Sequence, residues 1–573
     1  MPLFSKRRSH AQGSANSTFI APRWNSRVWT LLGLLCLTAV VGAQVPASAQ
    51  AGSEVNKEEA YSIDNPAPQR PVLESLKASA KAQGVTLWDA IEGYAQEAAG
   101  RMEDSCDRSG DSNSVPQTTL SSESKLETSL GLDLGASELW ATDPTAADSS
   151  SAELEQYCDL LETYPHPVEI DGIDIDELID LNRISETKRI TLEQAIDRYG
   201  TQMDFVDAVA ELRSAYPDDY AGAAIVSGGS SAWIAFKGKI PSDAFSLAET
   251  ISVPIRLIGN RGFSESELKQ TIDEASLQLF GRKDVSEGFG SYDQETGIVT
   301  LEVRLADAVS STEAATWVSR LSLPVPANPR ITIGVKVVPD LGTHQAGTIR
   351  RDCKNYVSDN VCTPWPEYVE DDNMRGGGLF QDRQTCTAGF TVTGPNGFTG
   401  NSSAGHCADS PSATTAEYRN QATEDFSSTE VDVQGFHEGS NGDLAYYTDG
   451  SMTALPTFYY DTGKTRAVNS VANPVVGANV CKFGRTTGFT CDEIQSLNNT
   501  VTYDDGGVTG SQVQTNEGNA KVGDSGGPWF YGNAAFGLTC CSRGTGFFGL
   551  SVRDLFTPAS KLNTQFSVEV FKQ

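Results

Sequence analysis

The chain has 573 residues, with 75 Asp and Glu against 43 Lys and Arg and a formal net charge of −32. That length exceeds one ordinary core and implies about two to four domains. So acidic a surface repels nucleic acid and anionic membranes, which removes both as partners.

Lys6, Arg7, Arg8, Arg23 and Arg27 precede the apolar run VWTLLGLLCLTAVVG, and Ala47-Ser48-Ala49 follows it. This is the pattern of a secretory signal over residues 1–49, and the run falls short of the roughly 20 residues that a membrane span needs. With Cys36 discarded in the signal, Cys106 and Cys158 remain in the first half and eight cysteines lie from Cys353 onward. Both counts are even, which in an exported protein points to disulfides. No HExxH, paired CxxC or EF-hand loop occurs, so no metal and no cofactor is expected.

Residues 50–67 and 104–151 are rich in Ser, Thr, Asp and Glu and read as linkers. VTLWDAIEGYAQ from Val85 and ITLEQAIDRYGT from Ile190 share five positions. A duplicated unit is one reading; two helix starts that converge on a capping Thr is the other. From Ala223 to Pro339 strands such as AWIAF, VPIRLIG, GIVTLEVRL and RITIGVKVV alternate with helices over 264–279 and 312–321. This predicts an α+β domain with one open sheet within 168–350, preceded by a partly linker-like 50–167. From 351 to 573 short strands with frequent Gly and Thr predict an all-β, two-barrel domain closed by a helix in PASKLNTQFSVEVFKQ.

Within that last domain Lys521 opens KVGDSGGPWF. Gly and Ser are ordinary turn formers, but a six-residue string such as GDSGGP arises by chance with odds on the order of 10^-4 in a chain this long. Acyl transfer to water needs a nucleophile, a base, an orienting group and amides aimed at the developing oxyanion. Ser525 is the candidate nucleophile, and the glycines around it let the amides of Gly523 and Ser525 point at one oxygen. The base must come from five histidines. His10 goes with the signal, His166 and His344 precede the β domain, and His437 lies close in sequence to the best acid. His406 remains, and a bridge from Cys386 to the adjacent Cys407 would pin its loop.

CTAGF at Cys386, AGHC at Ala404, CKFGRTTGFTC from Cys481 and GDSGGPW at Gly523 together resemble the secreted bacterial branch of the chymotrypsin-like serine proteases, the streptogrisin and α-lytic protease type. The resemblance runs from about Met374 to the end of the chain. It implies that Asp443, in SNGDLAYY, orients His406, with Asp432 and Asp449 as alternatives. Where animal relatives form a charged Ile-Val-Gly-Gly terminus that pairs with the acid before the serine, this chain has MRGGGLF. The bacterial branch uses an arginine of GRTTG instead, so the resemblance implies an ion pair of Asp524 with Arg485.

Cys481 is expected to pair with Cys491. Cys353, Cys362, Cys540 and Cys541 allow three connectivities; adjacent cysteines seldom bond each other, and the shortest loop favours Cys353 with Cys362. Asn519, Thr539 and Cys540 are the candidate pocket residues. An uncharged Asn519 at the base would favour large apolar or aromatic substrate residues over Lys or Arg.

The segment DFVDAVAELRSAYPDDYAGAAIV resembles the start of pro-domains in the same branch. This implies that residues 50–350 form a pro-region acting as intramolecular chaperone and inhibitor, with a retained substrate-binding domain as the alternative. The expected protein is a monomeric, extracellular serine endopeptidase made as a preproprotein and acting on protein or peptide substrates. The competing class is a catalytically silent binding protein on the same fold.

Overall fold

The computed structural model describes residues 43–44, 58–109, 168–226, 228–339, 341, 343–345, 372–382, 385–408, 416–420, 428–502, 507–545 and 551–573. Of the signal segment only Ala43–Gln44 is described, paired antiparallel with Gly334 and Val335; the rest of it, Cys158, His166, Cys353, Cys362 and Arg350-Arg351 lie outside these residues. Among the described residues no helix is long and apolar enough to cross a membrane.

The C-terminal half holds two sets of strands. The later one closes on itself: Asn479–Gly484 pairs with Gly488–Thr502, that with Val508–Thr515, then Ser551–Pro558, Ala534–Thr545 and Pro528–Tyr531, which returns to Asn479–Gly484. The ring surrounds a core that includes Trp529, Phe530, Leu538 and Phe556. The earlier set comprises short sheets around Met374, Phe380, Tyr418, Val431 and Tyr447. The predicted terminal helix is confined to Lys561–Phe566; Glu569–Val570 then pairs with Thr391–Gly394. This ties the chain end back into the first set.

The N-terminal half differs from the single open sheet expected. One sheet takes Glu59–Ile63, Ile255–Gly259, Ala232–Phe236 and Tyr220–Ile225 in that order. Residues 59–63, read as linker from composition, are thus an edge strand held by backbone pairing with Ile255–Gly259. The other sheet joins Thr332–Val337, Ile298–Leu305 and Val285–Asp293, covered by the helix Glu265–Phe280. That helix starts at a reciprocal cap between Ser264 and Glu267. Thr86 with Asp89 and Thr191 with Gln194 form the same reciprocal bonds, so the Thr shared by the two helix starts caps both.

The two halves share backbone. Val285–Asp293 pairs antiparallel with Gly488–Thr502, placing Phe289 opposite Val501 and Gly290 opposite Thr500, so one sheet runs from the N-terminal region into the closed barrel. A second seam is polar. Arg466, fully buried against the Tyr460 ring at 3.9 Å, reaches Asp176 at 3.1 Å and Asp180 at 2.9 Å on the helix Ile175–Lys188. Gly532 donates its amide to Asp180 at 2.7 Å, and Gln202 exchanges two 3.0 Å bonds with the backbone of Asn479.

One guanidinium thus serves a seam crowded with carboxylates. Burial, and then the charge of Asp176, pushes Asp174 up to about 7; burial, and then Asp174, pushes Glu177 up to about 8. Both groups keep in the folded chain a proton that the unfolded chain releases near the ordinary carboxylate range, so their stabilisation is present at low pH and lost as pH rises through these values. The thermal midpoint of the full-length chain should therefore fall as pH is raised from about 5 to about 8, and Glu177→Gln should flatten the slope. Calorimetry across that window checks it, and a flat profile for the unaltered chain contradicts it.

Candidate active site

His406 sits on the single turn Gly405–Cys407, whose backbone passes so close to the neighbouring strands that a Cβ on Gly405 would lie 2.5 Å from the His437 carbonyl and 2.9 Å from Asp443 Oδ1. Asp443 stands near the start of the strand Gly442–Thr448, its amide donating to Thr557 Oγ1 at 3.0 Å. Its carboxylate takes both the His406 backbone N–H, 2.8 Å from Oδ1, and the ring Nδ1, 2.6 Å from Oδ2. With Nδ1–H donating to Asp443, Nε2 is left to accept, and the Ser525 hydroxyl lies 2.9 Å from it. The alternative acids are elsewhere: Asp432 is exposed, and Asp449 accepts from Thr399.

The loop that carries Ser525 is shaped by Gly523 and Gly526, at φ of 99° and 83°, where a side chain would be strained. The space is closed as well: a Cβ on Gly526 would meet Ser403 Oγ at 2.1 Å. Among the described residues the amides of Gly523 and Ser525 have no protein acceptor. Thr387 fixes the loop from behind, donating its N–H to the Ser525 carbonyl at 2.8 Å and its hydroxyl to the Gly523 carbonyl at 2.7 Å. Sequence reasoning passed over Thr387, although it directly follows Cys386. The Cys386–Cys407 and Cys481–Cys491 bridges form as expected, the latter across directly opposed strand residues.

Asp524 is fully buried, and its cation is not the expected Arg485. Lys482 Nζ lies 3.5 Å from Oδ2, and the remaining acceptor capacity is met by the amides of Thr486, Thr487 and Lys521 and by the Thr487 hydroxyl. Arg485 contributes a backbone N–H to Thr387 Oγ1 at 3.1 Å. The reason is strand parity: Lys482 and Gly484 share a face of Asn479–Gly484, and a Cβ on Gly484 would lie 2.3 Å from Asp524 Oδ1, so that face abuts the carboxylate while Arg485 follows it with opposite parity.

The candidate pocket residues divide. Thr539 is buried and braces the nucleophile loop, its hydroxyl on the Gly527 carbonyl at 3.1 Å. The Cys540 carbonyl lies 3.3 Å from the Ser525 hydroxyl. Asn519 and Ala520 donate their amides to Asp554 at 3.0 and 2.9 Å. Asp554 is an acid that sequence reasoning missed inside SVRDLF; burial pushes it up to about 6 despite the attraction of Lys482. Cys540 and Cys541 lie with their sulfurs 2.50 Å apart, contrary to the expectation for neighbours, where a register shift between Thr539 and Cys541 turns consecutive side chains to one side.

Lys482 is therefore the buried cation of Asp524, and its charge also favours the ionised form of buried Asp554. Lys482→Met should destabilise the full-length chain by about 3–5 kcal/mol by stranding those charges, and Arg485→Met should cost clearly less. Denaturant unfolding of both variants checks this, and the reverse ranking would restore Arg485 as the partner.

The Trypsin family profile matches residues 375–563. Streptogrisin-C of Streptomyces griseus is 36% identical over 191 residues, covering 31% of this chain and 38% of that protein. Glutamyl endopeptidase 2 of Streptomyces griseus is 31% identical over 207 residues, covering 35% of this chain and 99% of that protein. Serine protease 2 of Streptomyces fradiae is 32% identical over 161 residues, covering 28% and 87%. With one such protease matched over 99% of its length at 31% identity, and the Trypsin profile spanning His406, Asp443 and Ser525, the chain belongs to the trypsin family of chymotrypsin-like serine endopeptidases.

Proposed function

We propose that the protein is a secreted endopeptidase in which Ser525 attacks the scissile carbonyl, His406 takes its proton and returns it to the leaving amine, and Asp443 holds the imidazole. The acyl-enzyme forms on Ser525 Oγ, and water then attacks it by the same route. The amides of Gly523 and Ser525 receive the negative oxygen at each tetrahedral stage. The observation that carries this reading is the unbroken chain of 2.6 and 2.9 Å contacts from Asp443 through His406 to Ser525. A silent binding protein would have no need of it.

Residues 50–350 are the pro-region in this reading. Two features favour that over a retained binding domain. The strand Thr343–Gln345 runs antiparallel along Cys541, Ser542 and Arg543, directly beyond the Cys540 carbonyl that faces the nucleophile, where an extended substrate would add a strand. Ser525 and Asp443 are fully buried and His406 is 1% exposed, as in a site under cover. The shared sheet with Gly488–Thr502 gives the same region a template role, since pairings distant in sequence are slow to form unaided.

Ser525→Ala should lower turnover of casein by on the order of 10^6 and abolish labelling by a serine-directed phosphonate. Asp443→Asn should fold normally and lose on the order of 10^4 in turnover. Residues 351–573 expressed alone should yield little active enzyme until residues 50–350 are supplied in trans. Full activity from 351–573 alone would remove the template role, and an active Ser525→Ala variant would remove the nucleophile.

A further inference from the structure

Beyond the triad and its loop, the substrate-facing strand carries a charge arrangement that hydrolysis itself does not use. Arg543 lies on Ala534–Thr545 directly opposite Arg553 on Ser551–Pro558, and backbone pairing sets it opposite Thr343 on its other side. Its guanidinium sits 3.7 Å over the Phe289 ring and bonds the carboxylate of Glu302, both from the N-terminal region. Glu302 is shared with Lys336 at 3.9 Å, so the acid at this spot answers two cations. Among the described residues the Nε atoms of Arg543 and Arg553 are buried without an acceptor. Burial, and also the neighbouring Arg553, pulls the Arg543 guanidinium down from its ordinary value.

Residues of like charge directly opposed across two strands repel. Loss of the N-terminal region would take away Glu302 and Phe289 together, leaving two adjacent guanidiniums beside the cleft without the carboxylate that Arg543 bonds in the uncleaved chain. A substrate strand replacing Thr343–Gln345 would place one side chain at the station opposite Arg543, with Cβ atoms roughly 4.5–5.5 Å apart on one face of the sheet. A carboxylate there would meet a preorganised fork of donors. We propose that Arg543, backed by Arg553, is a specificity-determining residue that selects an Asp or Glu side chain upstream of the cleaved bond, and that Glu302 fills the same role within the uncleaved chain. This rests on the reading that Ser525 is the nucleophile and that residues 50–350 are displaced.

The test uses the full chain, secreted and allowed to mature, with active sites counted by phosphonate labelling of Ser525. Fluorogenic peptides of neutral sequence carry one Glu, Gln or Lys at each upstream position in turn. One position should show Glu favoured over Gln by about tenfold in kcat/KM, with the ratio shrinking at high salt. In the charge-swapped enzyme Arg543→Glu with Glu302→Arg, which keeps the ion pair of the uncleaved chain, that position should favour Lys instead. A labelled enzyme with equal rates for Glu and Gln at every upstream position overturns the proposal, as does a swapped enzyme that still prefers Glu. Failure of Ser525 to label would take down the nucleophile assignment beneath it, a result that the peptide ratios cannot mimic.

Discussion

Two consecutive residues tie the proposed catalytic residues into one body. Cys386 is bonded to Cys407, the residue after His406, and Thr387 holds the carbonyls on either side of Asp524 with its amide and hydroxyl. The base-bearing turn belongs to the first set of strands and the nucleophile loop to the second, so each could drift independently without this staple. In the proposed mechanism proton transfer between Oγ and Nε2 would be sensitive to small displacements, and a covalent bridge and two short hydrogen bonds from one strand end set the separation more firmly than packing alone. Asp443 completes the constraint by taking the backbone and the ring of His406 with different oxygens, which fixes both the turn and the tautomer.

This dependence explains which parts of the site were legible in the sequence. Ser525, its glycines and the bridge to Cys407 are local signals, since a sharp turn and a bridged loop demand particular residue types close together. His406 was legible because histidines are scarce enough to eliminate. The partner of Asp524 was not, because Lys482 and Arg485 lie within one short motif and only strand parity, a three-dimensional fact, separates them. Asp554 stayed hidden for a related reason: an isolated acid in a strand reads as an outward-facing residue until two amides from a distant loop are seen to surround it.

The N-terminal half was legible in its elements and not in its grouping. Capping residues and apolar periodicity marked the helix starts near Val85 and Ile190, the helices Glu265–Phe280 and Ser311–Ser319 and several strands, while Pro71–Gln83, Ile175–Lys188, Gln202–Ala215 and Ser242–Ala248 went unread, and two sheets were read as one because strand order carries no local signature. The edge strand Glu59–Ile63 defeats composition outright, since its residues have little to bury and its order comes from backbone bonds to Ile255–Gly259. Pairing of Val285–Asp293 with a barrel hairpin was equally invisible.

The two seams between the halves differ in what separation would cost. Along the shared sheet, parting exposes backbone groups that water can satisfy and apolar side chains that it cannot. At the polar seam, parting strips Arg466 of both carboxylates while leaving it against the Tyr460 and Phe530 rings. Hydration then repays much of the loss, because the carboxylates crowded around Asp174 and Glu177 are relieved of each other as well as of burial. Rising pH therefore weakens the polar seam, so the N-terminal region would loosen from its helical end first. The strand along the cleft, tied to the sheet seam through Ile298–Leu305 and the Glu302–Arg543 pair, would be the last part to leave.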